Sequence, residues 1–143
     1  MASGAAADAV GVGQAMIVAG VGCRKHALAE AIAAAIDMSL AGAGLARDRL
    51  GAIATAAAKQ NEPGLVETAV AFGVPLIAVE QAALEAAGQH AVTRSERVMA
   101  LTGVPSVAEA AAIAAAGPGA RLVARRTALG PVTCALAQSG EAS

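Results

Sequence analysis

Residues 16–22, MIVAGVG, form a short apolar run closed by glycines, and directly after them the pattern changes period: Leu28, Ile32, Ile36 and Leu40 recur every four residues among alanines. The first pattern suits a strand buried on both faces of a sheet. The second gives one apolar face of a helix that ends near Gly42 and Gly44. Strand, turn and helix in that order commit the chain to an α/β layout.

The alternation continues. GAIATAA at 51–57 is expected as a second strand, followed by the polar turn Lys59-Gln60-Asn61. Glu62-Pro63-Gly64-Leu65 opens a helix, because proline is tolerated in a first turn, where its missing N–H has no acceptor to serve. That helix runs to about Phe72 and stops at Gly73, PLIAV at 75–79 makes the third strand with Glu80 at its carboxyl end, and an Ala-rich helix covers about 81–87. Thr93 to Glu96 and Ser106 to Glu109 each place a hydroxyl three residues before a glutamate, the capping-box spacing that marks a helix start. The second of these helices reaches about Ala116. RLVARRTAL at 121–129 and TCALAQ at 133–138 close the chain as two strands around a Gly130-Pro131 turn. The expectation is a single layered α/β domain over 15–138, between tails at 1–14 and 139–143. Its mixed sheet has about five short strands, parallel at the start and antiparallel at the end, flanked by Ala-rich helices.

Composition sets how tightly these layers sit. Hydrophobic residues make up 57% of the chain, much of that is alanine, and Phe72 is the one aromatic side chain. Small side chains require helices lying close to the sheet. They also leave no stacking platform for single-stranded nucleic acid. A formal net charge of -1 provides no global field to draw DNA or an anionic membrane, so any anion site must be local. Residues 1–14 carry Asp8 and no Lys or Arg, unlike a targeting peptide. The charge-free run 9–23 is interrupted by four glycines and is too short to span a bilayer. A cytoplasmic protein is expected. Cys23 and Cys134 form no C-x-x-C pair and no zinc set, so free thiols, no metal and no cofactor are expected.

In open α/β sheets, ligands settle beyond the carboxyl ends of the strands, where glycines let backbone N–H groups approach an anion. Gly20, Gly22, Arg24 and Lys25 fit that role at the first turn. A dinucleotide fingerprint is excluded: Lys25 stands where a glycine is required, and strand 2 ends in alanines rather than an acidic residue. Arg24 offers planar carboxylate recognition and Lys25 a point charge. Cys23, beside Arg24 and His26, is a candidate nucleophile if a helix N-terminus lowers its pKa, set against the plainer reading of a structural thiol. His26 is more simply a polar surface residue, and His90 lies in a loop. Lys59 and Glu62 bracket the second turn at the same sheet edge. Glu62 and Glu80 are candidate general bases, and each also has the plainer reading of a helix-start carboxylate. Arg125 and Arg126 point to opposite faces of a strand, so one of them at most serves a shared site, and Arg125 is the candidate.

Four motifs stand in one order: GVGCR at 20–24, KQNEPGL at 59–65, GVPSVAEAAA at 103–112 and TCALA at 133–137. From about Ala15 to Gln138 the chain resembles the CobE family of cobalamin biosynthesis, which is similar to the C-terminal domain of the CbiG proteins. The resemblance implies a compact α/β domain that binds or hands over a precorrin or corrin intermediate, with other enzymes of that pathway as further partners. The alternative it carries is hydrolysis of a ring lactone with loss of a two-carbon fragment, which full-length CbiG performs with upstream domains that a chain of this length is expected to lack. Carried over by motif, the functional positions are Gly20, Gly22, Cys23 and Arg24, then Lys59 and Glu62, then Ser106 with Glu109. The family tends to place glycine where this chain has His26, a hydroxyl residue where it has Ala27, and an acidic residue where it has Ala57.

Overall fold

The computed structural model describes residues 16–94, 107–117 and 119–139. The elements in chain order are β1 (Ile17–Cys23), α1 (Ala29–Gly42), β2 (Leu50–Ala56), α2 (Pro63–Phe72), β3 (Leu76–Val79), α3 (Gln81–Arg94), α4 (Val107–Ala116), β4 (Arg121–Leu129) and β5 (Val132–Gln138). Single 3-10 turns at Arg47–Arg49 and Ala57–Lys59 flank β2. The five strands form one mixed sheet in the order β3-β2-β1-β5-β4. β1, β2 and β3 run parallel, whereas β5 is antiparallel to both β1 and β4. The expected mixed α/β architecture is the one observed.

Each face of the sheet has its own core. On one face Ile17, Ala19 and Val21 of β1 meet Ile32, Ile36 and Leu40 of α1 and Leu65 of α2. The valine, isoleucine and leucine side chains among them are each worth about 2 kcal/mol of burial. On the other face Val18 meets the alanines of α4, with Ala108, Ala111 and Ala112 fully buried. A Cβ on Gly20 would overlap the Ala108 carbonyl oxygen and stand 2.6 Å from the Ala112 nitrogen. The α4 backbone therefore rests on the sheet at Gly20, as a core of small side chains requires.

Several local expectations are corrected. Leu28 is not part of the buried face of α1; it is the N-cap residue and is 64% exposed, because the helix begins one residue later. β1 ends at Cys23, one residue past the expected end at Gly22, so Gly20 and Gly22 lie within the strand and not in the turn that follows it. α3 continues past residue 87 to Arg94, which puts His90 in a helix instead of a loop and Thr93 in a last turn instead of a start. Alanine-rich sequence carries the helix through Gly88, whose cost of about 1 kcal/mol is too small to end it. Ser95, Glu96, Ser106 and the tails at 1–14 and 140–143 lie outside the described residues. Ser139 is described, and its N–H donates to the Met16 carbonyl at 2.9 Å, continuing the β1–β5 pairing by one step. Among the described residues no helix is long and apolar enough to cross a membrane.

Candidate functional site

Two turns and a bulge of β4 meet beyond the carboxyl ends of β1 and β2. After Cys23 the chain makes a turn closed by the Ala27 N–H donating to the Arg24 carbonyl at 3.2 Å, with Lys25 and His26 at its centre. His26 has φ of 66°, the left-handed region that glycine occupies without strain. This is the position where the CobE resemblance implies glycine. The histidine is held there by Glu62, whose Oε1 accepts the His26 backbone N–H at 3.0 Å. Glu62 is also the N-cap residue of α2, yet its side chain makes no capping bond to that helix. Its carboxylate reaches across to the neighbouring turn instead. Gly64 permits the approach, since a Cβ there would overlap the Ala27 carbonyl oxygen.

The third contribution comes from β4. Two residues, Arg125 and Arg126, stand opposite the single Ala135 of β5 where the register shifts between Ala124 and Thr127. Such a bulge breaks the alternation of side chains and re-aims one of them. Glu109, in the first turn of α4, accepts the Arg126 backbone N–H through Oε2 at 3.0 Å. The partner in the expected capping box, Ser106, lies outside the described residues.

These elements border an open cavity of about 370 Å³. Its walls are small and largely apolar, with Gly22, Cys23, Ala56, Ala58 and Val107 among them, and two cationic residues, Lys59 and Arg126, line it. Thr55 and Thr133 complete it, but their hydroxyls are engaged in holding β1: Thr55 Oγ1 donates to the Val21 carbonyl at 2.8 Å and Thr133 Oγ1 to the Gly22 carbonyl at 3.3 Å.

The sequence candidates therefore divide. Gly22, Cys23 and Lys59 line the cavity, and Glu62 braces its rim. Gly20 faces α4 and serves packing. Arg24 and Lys25 are exposed on the adjoining turn, where the Arg24 N–H donates to the Pro131 carbonyl at 3.1 Å. Glu80 is exposed at the end of the edge strand β3, and its carbonyl accepts the Leu84 N–H at the start of α3. Arg125 does not line the cavity and Arg126 does; alternation gives the two opposite faces without saying which one meets the site, and the register of β4 against β5 puts Arg126 there. Cys23 also departs from expectation. It ends a strand rather than starting a helix, and partial burial pushes its thiol up from the ordinary value, opposed by the nearby Lys59 charge and reinforced by Glu62. A thiol so placed is a poor nucleophile at neutral pH. Among the described residues no group of three His, Cys, Asp or Glu side chains gathers as metal ligands.

With this geometry in place, comparison with known proteins becomes specific. The sequence profile of the family described as cobalamin synthesis G C-terminus matches residues 17–137, which is the whole sheet with its helices. The chain belongs to the CbiG C-terminal family. It is accordingly a cobalamin biosynthesis protein of the CobE and CbiG type. Protein CobE of a Sinorhizobium species is 36% identical over 121 residues, spanning 85% of this chain and 79% of its own. The crystal structure of the cobalamin biosynthesis protein chiG from Agrobacterium tumefaciens superposes with a TM-score of 0.74 at 43% identity, covering 88% of this chain and all of that one. CobE, a protein from the cobalamin (vitamin B12) biosynthetic pathway, superposes with a TM-score of 0.71 at 31% identity over 87% of this chain and 91% of its own. The match extends over the elements that build the cavity.

Proposed function

We propose that this CbiG C-terminal domain binds a carboxylate-bearing intermediate of corrin synthesis at the cavity between the turns after β1 and β2 and the bulge of β4. The observation that carries the reading is the pairing of Lys59 and Arg126 in a pocket whose other walls are small and mostly apolar. Corrin precursors are apolar-faced macrocycles fringed with acetate and propionate arms, and a few cations set in an apolar surface are what such a ligand requires. A volume of about 370 Å³ is at the low end for ligand pockets, so it takes an acid arm and one edge of the ring while the rest of the macrocycle lies over the rim. The exposed Arg24 and Lys25 on the adjoining turn add long-range attraction for the ring's other carboxylates.

A binding or transfer role is favoured over lactone hydrolysis by the state of the candidate catalytic groups. Glu62 is committed through Oε1 to the His26 N–H, Glu80 does not line the cavity, and the Cys23 thiol is pushed up rather than down. Titrating the purified protein with cobyrinic acid, a corrin carrying free carboxylates, is expected to shift the corrin absorption bands and to carry the ligand through gel filtration with the protein. Lys59→Ala and Arg126→Ala each weaken that binding, and the methyl-esterified corrin binds poorly. No spectral shift and no comigration at micromolar protein would refute the proposal.

A further inference from the structure

We infer that Glu109 is a positioning residue that aims the Arg126 guanidinium at a carboxylate in the cavity, so that Arg126 determines specificity for an acidic ligand arm. The inference rests on the reading that this cavity binds a carboxylate. Its ground is the register of β4: the bulge opposes Arg125 and Arg126 to Ala135 alone, and the backbone of the bulge is fixed by the 3.0 Å bond from the Arg126 N–H to Glu109. Of the two arginines, the one whose N–H is held is the one that lines the cavity. The same α4 turn that supplies Glu109 supplies Val107 to the cavity wall, so the carboxylate ties together two sides of one site. Bulges beside ligand sites commonly re-aim a side chain in this way, and a pre-oriented guanidinium loses less freedom on binding.

A negative charge this close to an anion site ought, by electrostatics alone, to weaken binding, so its removal ought to tighten it. Positioning predicts the opposite sign. Affinity is measured with two probes, cobyrinic acid by absorption and glutarate, a surrogate for one acid arm, by nuclear magnetic resonance of the protein. Arg126→Ala is expected to weaken both probes by about tenfold, the loss of one charge-assisted contact. Glu109→Ala weakens them several-fold in the native background and has no further effect in the Arg126→Ala background, while Glu109→Gln, which keeps an acceptor for the N–H, restores most of the affinity. Tighter binding in Glu109→Ala, or additive losses in the double variant, overturns the inference. Should Glu109→Ala fail to fold, the unmodified protein decides: the Arg126 Nε–H resonance must move on glutarate addition, and a Lys59 response without it overturns the assignment. Corrin binding that Arg126→Ala weakens and Glu109→Ala leaves unchanged sinks this inference and leaves the binding role standing; glutarate binding governed by Glu109 and Arg126, without any corrin binding, does the reverse.

Discussion

The His26 backbone N–H is bound by Glu62 Oε1 at 3.0 Å, a contact across 36 residues that fastens the turn after β1 to the turn before α2. The turn it fastens is strained, because His26 holds φ of 66°. A left-handed residue with a Cβ costs about 1–2 kcal/mol, offset in glycine by about 0.5–1 kcal/mol of extra unfolded-state freedom. His26→Gly is therefore expected to raise stability to urea by about 0.5–1 kcal/mol, and His26→Val to lower it. Glu62→Ala should lower it by about 1 kcal/mol through loss of the charge-assisted bond. A stabilised His26→Val protein would contradict this account of the turn.

Cys23 reports on the charges at the cavity. Lys59 pulls its pKa down and Glu62 pushes it up, on top of a larger upward push from burial. Alkylation by iodoacetamide proceeds through the thiolate, so its rate at fixed pH follows the pKa. Lys59→Met is expected to slow Cys23 labelling at pH 8 relative to the native chain, and Glu62→Gln, which preserves an acceptor for the His26 N–H, to speed it. Opposite signs in the two variants are the result to look for by mass spectrometry of the labelled peptide. If both variants react at the native rate, Lys59 and Glu62 are too far from the thiol to shape this cavity's potential.

How much of this was legible in the sequence depends on what kind of signal each residue carries. The order of strands and helices follows from the change of hydrophobic period at Leu28–Leu40 and from glycine and proline punctuation, which are local properties. Gly22 and Cys23, at the end of β1, and Lys59, in the turn after β2, were reachable because topology brings those strand ends together. The choice of Arg126 over Arg125 was not, since it depends on how β4 pairs with β5 and on Glu109 arriving from another element. Gly20 carries the converse lesson. A glycine near a strand end has a ligand-binding and a packing explanation in sequence, and only the closeness of the Ala108 carbonyl distinguishes them.

That closeness gives a sharp contrast between two glycines of one strand. At Gly20 an added methyl meets backbone, the Ala108 carbonyl oxygen and the Ala112 nitrogen, which cannot move without lifting α4 off the sheet. At Gly22 it meets only the Thr133 Oγ1 at 2.8 Å, a rotatable hydroxyl on a partly buried side chain. Gly20→Ala is expected to cost about 3 kcal/mol and Gly22→Ala about 1 kcal/mol by thermal or urea unfolding. Gly22→Ala should also narrow the cavity and weaken corrin binding while leaving the fold intact. Equal costs at the two positions would mean that α4 does not rest on β1 as described.

Cys134 on β5, fully buried against β1 and α1, makes the alkaline limit of stability measurable. Burial pushes its thiol up to about 11 from an ordinary value of 9.0. The folded state thus keeps its proton over a range where the unfolded chain has lost it, so the unfolded state gains stability as pH rises. The contribution is intact below pH 9.0, declines as pH climbs toward about 11, and is gone above it. Between pH 7.5 and pH 10 this one thiol should remove about 1.4 kcal/mol, one unit's worth of ionisation. Cys134→Ala costs stability at pH 7.5 by leaving a small void, but its loss on going to pH 10 is expected to be smaller than the native chain's by about that amount. The slope that remains in the variant includes Cys23, whose pKa is shifted in the same direction. Urea unfolding of both proteins at the two pH values tests this, and identical alkaline losses would show that Cys134 ionises as readily folded as unfolded.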